Sequence, residues 1–258
     1  MSTTAGYFRS GGSWLHRRNP ITKLMALIWI ILTAFLLPPA AIVVLVAGLA
    51  AMAASIGLLP ALVKSLRVPL LLFASILVVN ACFYPGARDV VARLGPLAVS
   101  REGLTFGATS AGRLLVAFSA SILFLYTTLA DDLLEALVAR GASHRISFVI
   151  LSAVQMVPRL QGRAAAILEA QQARGLETGG SLARRARALV PLVGPIVLGS
   201  LIDVRERTFA LEARAFGARP GRTAYRLVPD PAVDRVMRWL IVAAAVGVVV
   251  VAFARPLG

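Results

Sequence analysis

A chain of 258 residues that is 58% hydrophobic, 15% charged and of mean hydropathy +0.80 lies outside the soluble class, in which about 25% of residues are charged. Its net charge of +15, from 27 basic and 12 acidic residues, does not call for nucleic acid, because basic residues in so apolar a chain gather at the cytoplasmic membrane face and against anionic headgroups. The lone Cys82 excludes an intrachain disulfide and a thiol metal site, and His16 and His144 have no ligand cluster beside them, so no metal is expected.

Residues 1–23 carry Arg9, Arg17, Arg18 and Lys23 and no acid, and read as a cytoplasmic segment. Apolar runs follow at Leu24–Leu37, Ala40–Leu59, Val68–Tyr84, Leu104–Leu129 and Trp239–Ala254. About twenty residues cross a 30 Å core, and the shorter runs reach across by thinning the bilayer or using flanking turns. The first run reads as an uncleaved span in preference to a signal peptide, since a second follows at once after Pro38-Pro39. Lys64 and Arg67 in the next turn agree with an inside amino terminus, whereas Arg88, Arg93 and Arg101 between Pro85 and Glu102 fit it less well. The fourth span holds Arg113, which either faces the bundle, satisfied by carbonyls or water, or contacts a partner membrane subunit. Gly103, Gly107, Ala111 and Gly112 in that span permit close helix approach, within this chain or against another.

The segment 130–235 is different. From Asp131 to Arg235 there are 15 arginines, 10 acids and no lysine. "DDLLEALVARG" (Asp131–Gly141) predicts a helix with acids in its first turn, Arg140 in its last and a left-handed cap at Gly141. "ISFVILSAVQMVP" and "ALVPLVGPIVLGSLI" are too short and too interrupted to span, and each runs on into a charged helical pattern. Ile146–Gly175 and Ala183–Gly217 therefore read as two long helices, kinked at Pro158, Pro191 and Pro195, that begin against the membrane and reach into the cytoplasm. They form a weak repeat. A basic cluster (Arg145; Arg184, Arg185 and Arg187) precedes an apolar run, a charged run and then Ala-Arg. Ala173-Arg174-Gly175 closes one copy; Ala213-Arg214, with Gly217 shortly after, closes the other, and the arginines lie 40 residues apart.

A single Ala-Arg-Gly is an ordinary helix end, with arginine at the negative pole of the dipole and glycine as the cap. Two copies on similar cytoplasmic helices, with Glu169, Glu177 and Glu212 near enough to orient the arginines, point to bidentate capture of partner carboxylates. Walker A, G-x-G-x-x-G, H-E-x-x-H and EF-hand patterns are absent, and no carboxylate pair lies in a span. Catalytic residues and cofactors are therefore not expected, and any ATP hydrolysis belongs to a partner.

"LHRRNPITKL", "GLTFGATSAGRLLVAFSASILFLYTT" with "DDLLEALVARG", "QQARGLE" and "LEARAFG" together give a resemblance over nearly the whole chain. The chain resembles the transmembrane T component of energy-coupling factor (ECF) transporters, the EcfT/CbiQ-like family. The resemblance implies an all-α integral membrane protein with about five transmembrane helices and three cytoplasmic coupling helices, two of them long and ending in Ala-Arg signatures. Its parts would be the cytoplasmic segment 1–23, transmembrane helices 1–4 over 24–129, a coupling domain over 130–235 and a fifth transmembrane helix over 236–258. It further implies a plasma-membrane subunit that contacts two ABC ATPases through Ala173, Arg174, Gly175, Ala213, Arg214 and Gly217. A small membrane S component would bind the vitamin or transition-metal ion. Ala215 departs from the pattern, standing where glycine is usual. Two rivals are the permease of a conventional ABC importer and a membrane scaffold for anionic lipid. For the permease, Glu169-Ala170 precedes Gly175 suitably, but "LVP" (189–191) follows too late and the second Ala-Arg has no place.

Overall fold

The computed structural model describes residues 8–9, 11–85, 89–94, 97–176, 181–216 and 228–254. Nine helices and one hairpin lie among them. They are α1 (Pro20–Leu36), α2 (Pro39–Ser55), α3 (Leu59–Leu66), α4 (Leu70–Phe83), β1 (Val90–Leu94), β2 (Leu97–Ser100), α5 (Arg101–Thr127), α6 (Ala130–Val138), α7 (His144–Ala173), α8 (Leu182–Ala213) and α9 (Ala232–Ala254). Two compact units result. One comprises residues 1–141 with 228–258, and the other residues 142–227. The 130–235 segment is thus shared: α6 and the stretch leading into α9 belong to the first unit.

In the first unit α5 is the axis, packing against α1, α2, α3 and α4. Ser100 starts it, accepting a hydrogen bond from Gly103 N–H at 3.1 Å. Val116, Ala120, Leu123 and Tyr126 on one face of α5 meet Ala34, Ile42, Leu49, Ala53 and Leu62. The small residues serve packing within the chain, as one of the two expectations held. Gly103 and Gly107 let α5 lie on the α4 backbone at Leu77–Ala81, and Gly112 admits Ile42 from α2.

Three features depart from the sequence reading. First, α2 stops at Ser55, not near Leu59. Gly57 (φ +71) turns the chain, with Gly57 N–H donating to Ala54 O and Leu58 N–H to Ala53 O, and Pro60 then opens the short helix α3. Lys64 and Arg67, read as a simple turn, sit at the end of that helix. Second, α3 and α4 bend by 56° where Pro69 interrupts the chain. Third, an antiparallel hairpin not expected from the sequence pairs Leu94 with Leu97 and Val90 with Ser100, while every other element among the described residues is helical. The β-branched run at Val90-Val91 and Val99 accounts for it. Among the described residues one helix, α5, is by itself long and apolar enough to cross a membrane, and the bent α3–α4 pair is so jointly. The helices α1 and α2 are apolar but have 17 residues each, about 25 Å at 1.5 Å per residue.

A polar cluster ties the amino-terminal stretch to α9. Asn19 caps α1 through Oδ1, which accepts from Ile21 N–H at 3.0 Å, while its Nδ2 donates to Pro229 O at 3.2 Å. Arg238 of α9 grips Asp230 with both Nη atoms at 2.8 Å and also donates to Thr22 Oγ1. Arg140 approaches the same carboxylate at 3.5 Å, and buried Lys23 donates to Thr127 O at 2.7 Å. The hydrogen bonds from Arg238 hold the Asp230 carboxyl below its ordinary range. Its contribution is therefore complete above the unfolded value of about 3.9 and fades only as pH falls through the lowered folded value. Asp230→Ala should lower stability by roughly 1–3 kcal/mol at neutral pH, because buried Arg238 loses its carboxylate and keeps only Thr22 Oγ1 as acceptor. Thermal unfolding in detergent at pH 7 checks this, and the wild-type advantage should persist unchanged at pH 5.

Candidate coupling site

The second unit consists of α7 and α8 with their ends. Both helices run unbroken through the prolines expected to kink them, Pro158 in α7 and Pro191 and Pro195 in α8. They lie antiparallel. Phe148 in the first turns of α7 stacks on Phe216 beyond the end of α8, with ring centroids 4.8 Å apart. Further along α7, Arg163 meets Asp203 in α8. Nη1 lies 2.8 Å from Oδ2 and Nη2 donates to Oδ1 at 3.0 Å. A groove of about 460 Å³ beside this pair is lined by Met156, Arg159, Leu160, Glu206, Arg207 and Ala210.

The antiparallel sense separates the two predicted prongs. Arg214 lies beside the start of α7 by virtue of the Phe148–Phe216 contact, and Arg174 lies at its far end. Twenty-six residues of helix from 148 to 174 amount to about 39 Å. The two signature ends thus point apart.

Both ends are built alike. At the first, Gly175 N–H donates to Gln172 O at 2.9 Å and Leu176 N–H to Gln171 O at 3.0 Å, with Gly175 at φ +90. At the second, Ala215 N–H donates to Glu212 O at 2.9 Å and Phe216 N–H to Leu211 O at 2.9 Å, with Ala215 at φ +54. This is the Schellman pattern twice, with the residue after the arginine in the left-handed region. Ala215 therefore occupies the glycine position itself, and the helix end is fixed there. Gly217, expected as part of the second signature, lies outside the described residues. A side chain at positive φ costs about 1–2 kcal/mol, so Ala215→Gly should stabilise the unit by roughly 0.5–1 kcal/mol after the added chain entropy of glycine. The midpoint of thermal unfolding should rise, while Gly175→Ala should lower it.

Ala173 and Ala213 are the last residues of α7 and α8, and Arg174 and Arg214 directly follow them, exposed. Glu169 and Glu212, expected to orient the arginines, form no ion pair with them, and Glu177 lies outside the described residues. Exposed arginine at a helix end gains more from the dipole and from water than from holding a nearby flexible carboxylate. The α7 and α8 faces also leave Val149, Val154, Val190, Val193 and Val197 exposed. Arg113, in the first unit, turns toward α1. Its Nε donates to Ala34 O at 3.2 Å and its guanidinium lies 5.9 Å from the Phe35 ring centroid. The Arg163–Asp203 pair was not among the predicted residues, although it obeys the same 40-residue offset as Arg174 and Arg214. No metal-binding group of three or more His, Cys, Asp or Glu occurs among the described residues.

Residues 11–225 match the family profile described as CbiQ, cobalt transport protein. The energy-coupling factor transporter transmembrane protein EcfT of Heliobacterium modesticaldum is 32% identical, over 86% of this chain and 87% of that protein. The protein of the same name from Listeria innocua is 29% identical, over 86% and 88% of the respective chains. A Bifidobacterium longum protein named as an ABC transporter ATP-binding protein is 30% identical over 91% of this chain, a match that takes up 31% of its own length.

Proposed function

Since the chain belongs to the CbiQ cobalt transport family and is a non-catalytic transmembrane component of the energy-coupling factor type, we propose that it couples two cytoplasmic ABC ATPases to a separate membrane substrate-binding subunit. Arg174 and Arg214 are the docking points, each directed at an acidic groove of one ATPase, and Ala173, Gly175 and Ala213 shape the helix ends that present them. One observation carries this reading: two helix ends of the same backbone design sit at opposite ends of one antiparallel pair, each offering an exposed arginine without an intramolecular partner among the described residues.

The Bifidobacterium relative supports ATPases as partners, since its name joins the matched region to ATP binding in one chain. The apolar faces of α7 and α8 suit the membrane-embedded S component, which would carry a vitamin or a transition-metal ion. The helices α1, α2, the α3–α4 pair, α5 and α9 would make five crossings, with the amino terminus and the coupling helices inside the cell, where their arginine excess belongs. The test is purification of the tagged chain from its native membrane, followed by ATP-dependent uptake in reconstituted vesicles. Two ATPase subunits and one small membrane protein per chain are expected. A chain that purifies alone after cross-linking, with uptake intact when the ATPases are omitted, overturns the reading.

A further inference from the structure

Arg163 and Asp203 lie eleven residues before Arg174 and Arg214, respectively. They are thus equivalent positions of the two repeats, and they touch each other. When two like helices pack antiparallel about a two-fold, equivalent residues meet at the axis and nowhere else. The pair therefore marks the midpoint of the α7–α8 crossing, with each docking arginine about 16 Å along its own helix from it.

The midpoint is also notched. A Cβ added at Gly199 would lie 2.9 Å from Arg163 Nη1 and 3.3 Å from its Cζ. The guanidinium thus rests on the bare backbone of α8, one turn before the carboxylate that receives it. Gly194 and Gly162 face open space, so glycine in these helices is not a general packing device. Little else fixes the crossing. Among the described residues of this unit, Leu192 is the one buried apolar side chain. The ion pair is half-exposed on both sides and contributes little to stability as such. What the contact supplies is geometry: Nη2 donates to Oδ1 at 3.0 Å while Nη1, lodged against Gly199, lies 2.8 Å from Oδ2, an arrangement that sliding either helix by a turn would break.

We infer that Arg163, Gly199 and Asp203 form a register pin that sets where α7 crosses α8, and so fixes the span between Arg174 and Arg214. These three are positioning residues; they act through the two arginines. The inference deepens the docking reading and rests on it for its purpose, but the geometry can be tested apart from docking.

The experiment uses the full chain in lipid nanodiscs with Cys82 replaced by serine. Spin labels go on cysteines at Glu169 and Glu212, exposed positions near the two ends. The unaltered pin should give one narrow distance distribution. Asp203→Ala should broaden it, and Gly199→Leu, which leaves the ion-pair residues in place but fills the notch, should shift or broaden it likewise. The exchange R163D with D203R should restore the narrow distribution, because a side chain at 203 leans toward the helix amino terminus and so back over Gly199. A merely structural loss would not be rescued by exchange. Unchanged distributions in both Asp203→Ala and Gly199→Leu, or failure of the exchange to restore the width, overturn the pin. The same variants, assayed for ATPase co-purification, separate the two readings. A moved distance with undiminished ATPase binding by R174A/R214A sinks docking and leaves the pin standing.

Discussion

Replacing Arg174 and Arg214 together with alanine should release the ATPases from the membrane subunit and abolish ATP-driven uptake. Truncating one member of a desolvated charge pair costs about 2–5 kcal/mol in binding, so each single substitution should weaken docking by about 30-fold or more. Single variants should retain partial complex, because the second prong still holds a dimerised ATPase by avidity. The double variant loses that support as well. Arginine to lysine keeps the charge and loses the fork, so it should fall between wild type and alanine. The membrane subunit itself should be unmoved. Both arginines are exposed, and neither makes an ion pair or side-chain hydrogen bond among the described residues. Its unfolding should change by no more than about 0.5 kcal/mol. Quantitative co-purification beside a thermal melt of the isolated subunit checks both halves.

The second large effect lies inside the helix bundle. Gly103→Leu should destabilise the first unit by about 3 kcal/mol or more. The new Cβ would overlap the Asn80 carbonyl oxygen of α4 and lie 2.6 Å from Ser100 Oγ, which caps α5. Neither backbone nor cap can give without moving a helix, and overpacking of that kind costs at least 1–3 kcal/mol. Gly107→Leu meets the Leu77 carbonyl at 3.1 Å and should cost somewhat less. Gly112→Ala meets a side chain and no backbone, the Ile42 Cγ2 methyl at 2.9 Å; Ile42 is buried and fixed at χ1, so α2 must give slightly, but a single added methyl should cost least of the three. The ranking is checked by thermal unfolding in detergent. Maleimide labelling of Cys82 on α4 should rise in the same order as that helix is pushed away.

The long helices were legible because their signal is extended. The run from Ile146 to Gly175 is periodic throughout, and α7 spans His144–Ala173. Gly141 was read as a left-handed cap and has φ +98. The helix α3 was not legible, since eight residues between two apolar runs look like a turn once Pro60 and Pro69 are read only as breakers. One of them begins a helix and the other parts two. The end of α8 is open in the sequence, because Ala215 stands at the position where glycine is usual and Gly217 follows two residues later; Ala215 takes the left-handed conformation, its strain overridden by two backbone hydrogen bonds and the Phe148–Phe216 contact. Arg163 and Asp203 carried a usable signal, the same 40-residue offset as the terminal arginines, but an offset shows which residues correspond and not which ones touch.

The matched backbone at 175 and 215 bears on stoichiometry. The two sequence signatures differ, which invites the idea of two different ATPases, one for each. Their hydrogen bonds do not differ: the same donors at the same offsets close both helices, and the arginine leaves each end from the same backbone position. One type of receptor groove, used twice in a symmetric dimer, would accept both prongs. The unlike residues at 175 and 215 therefore do not by themselves require a heterodimer.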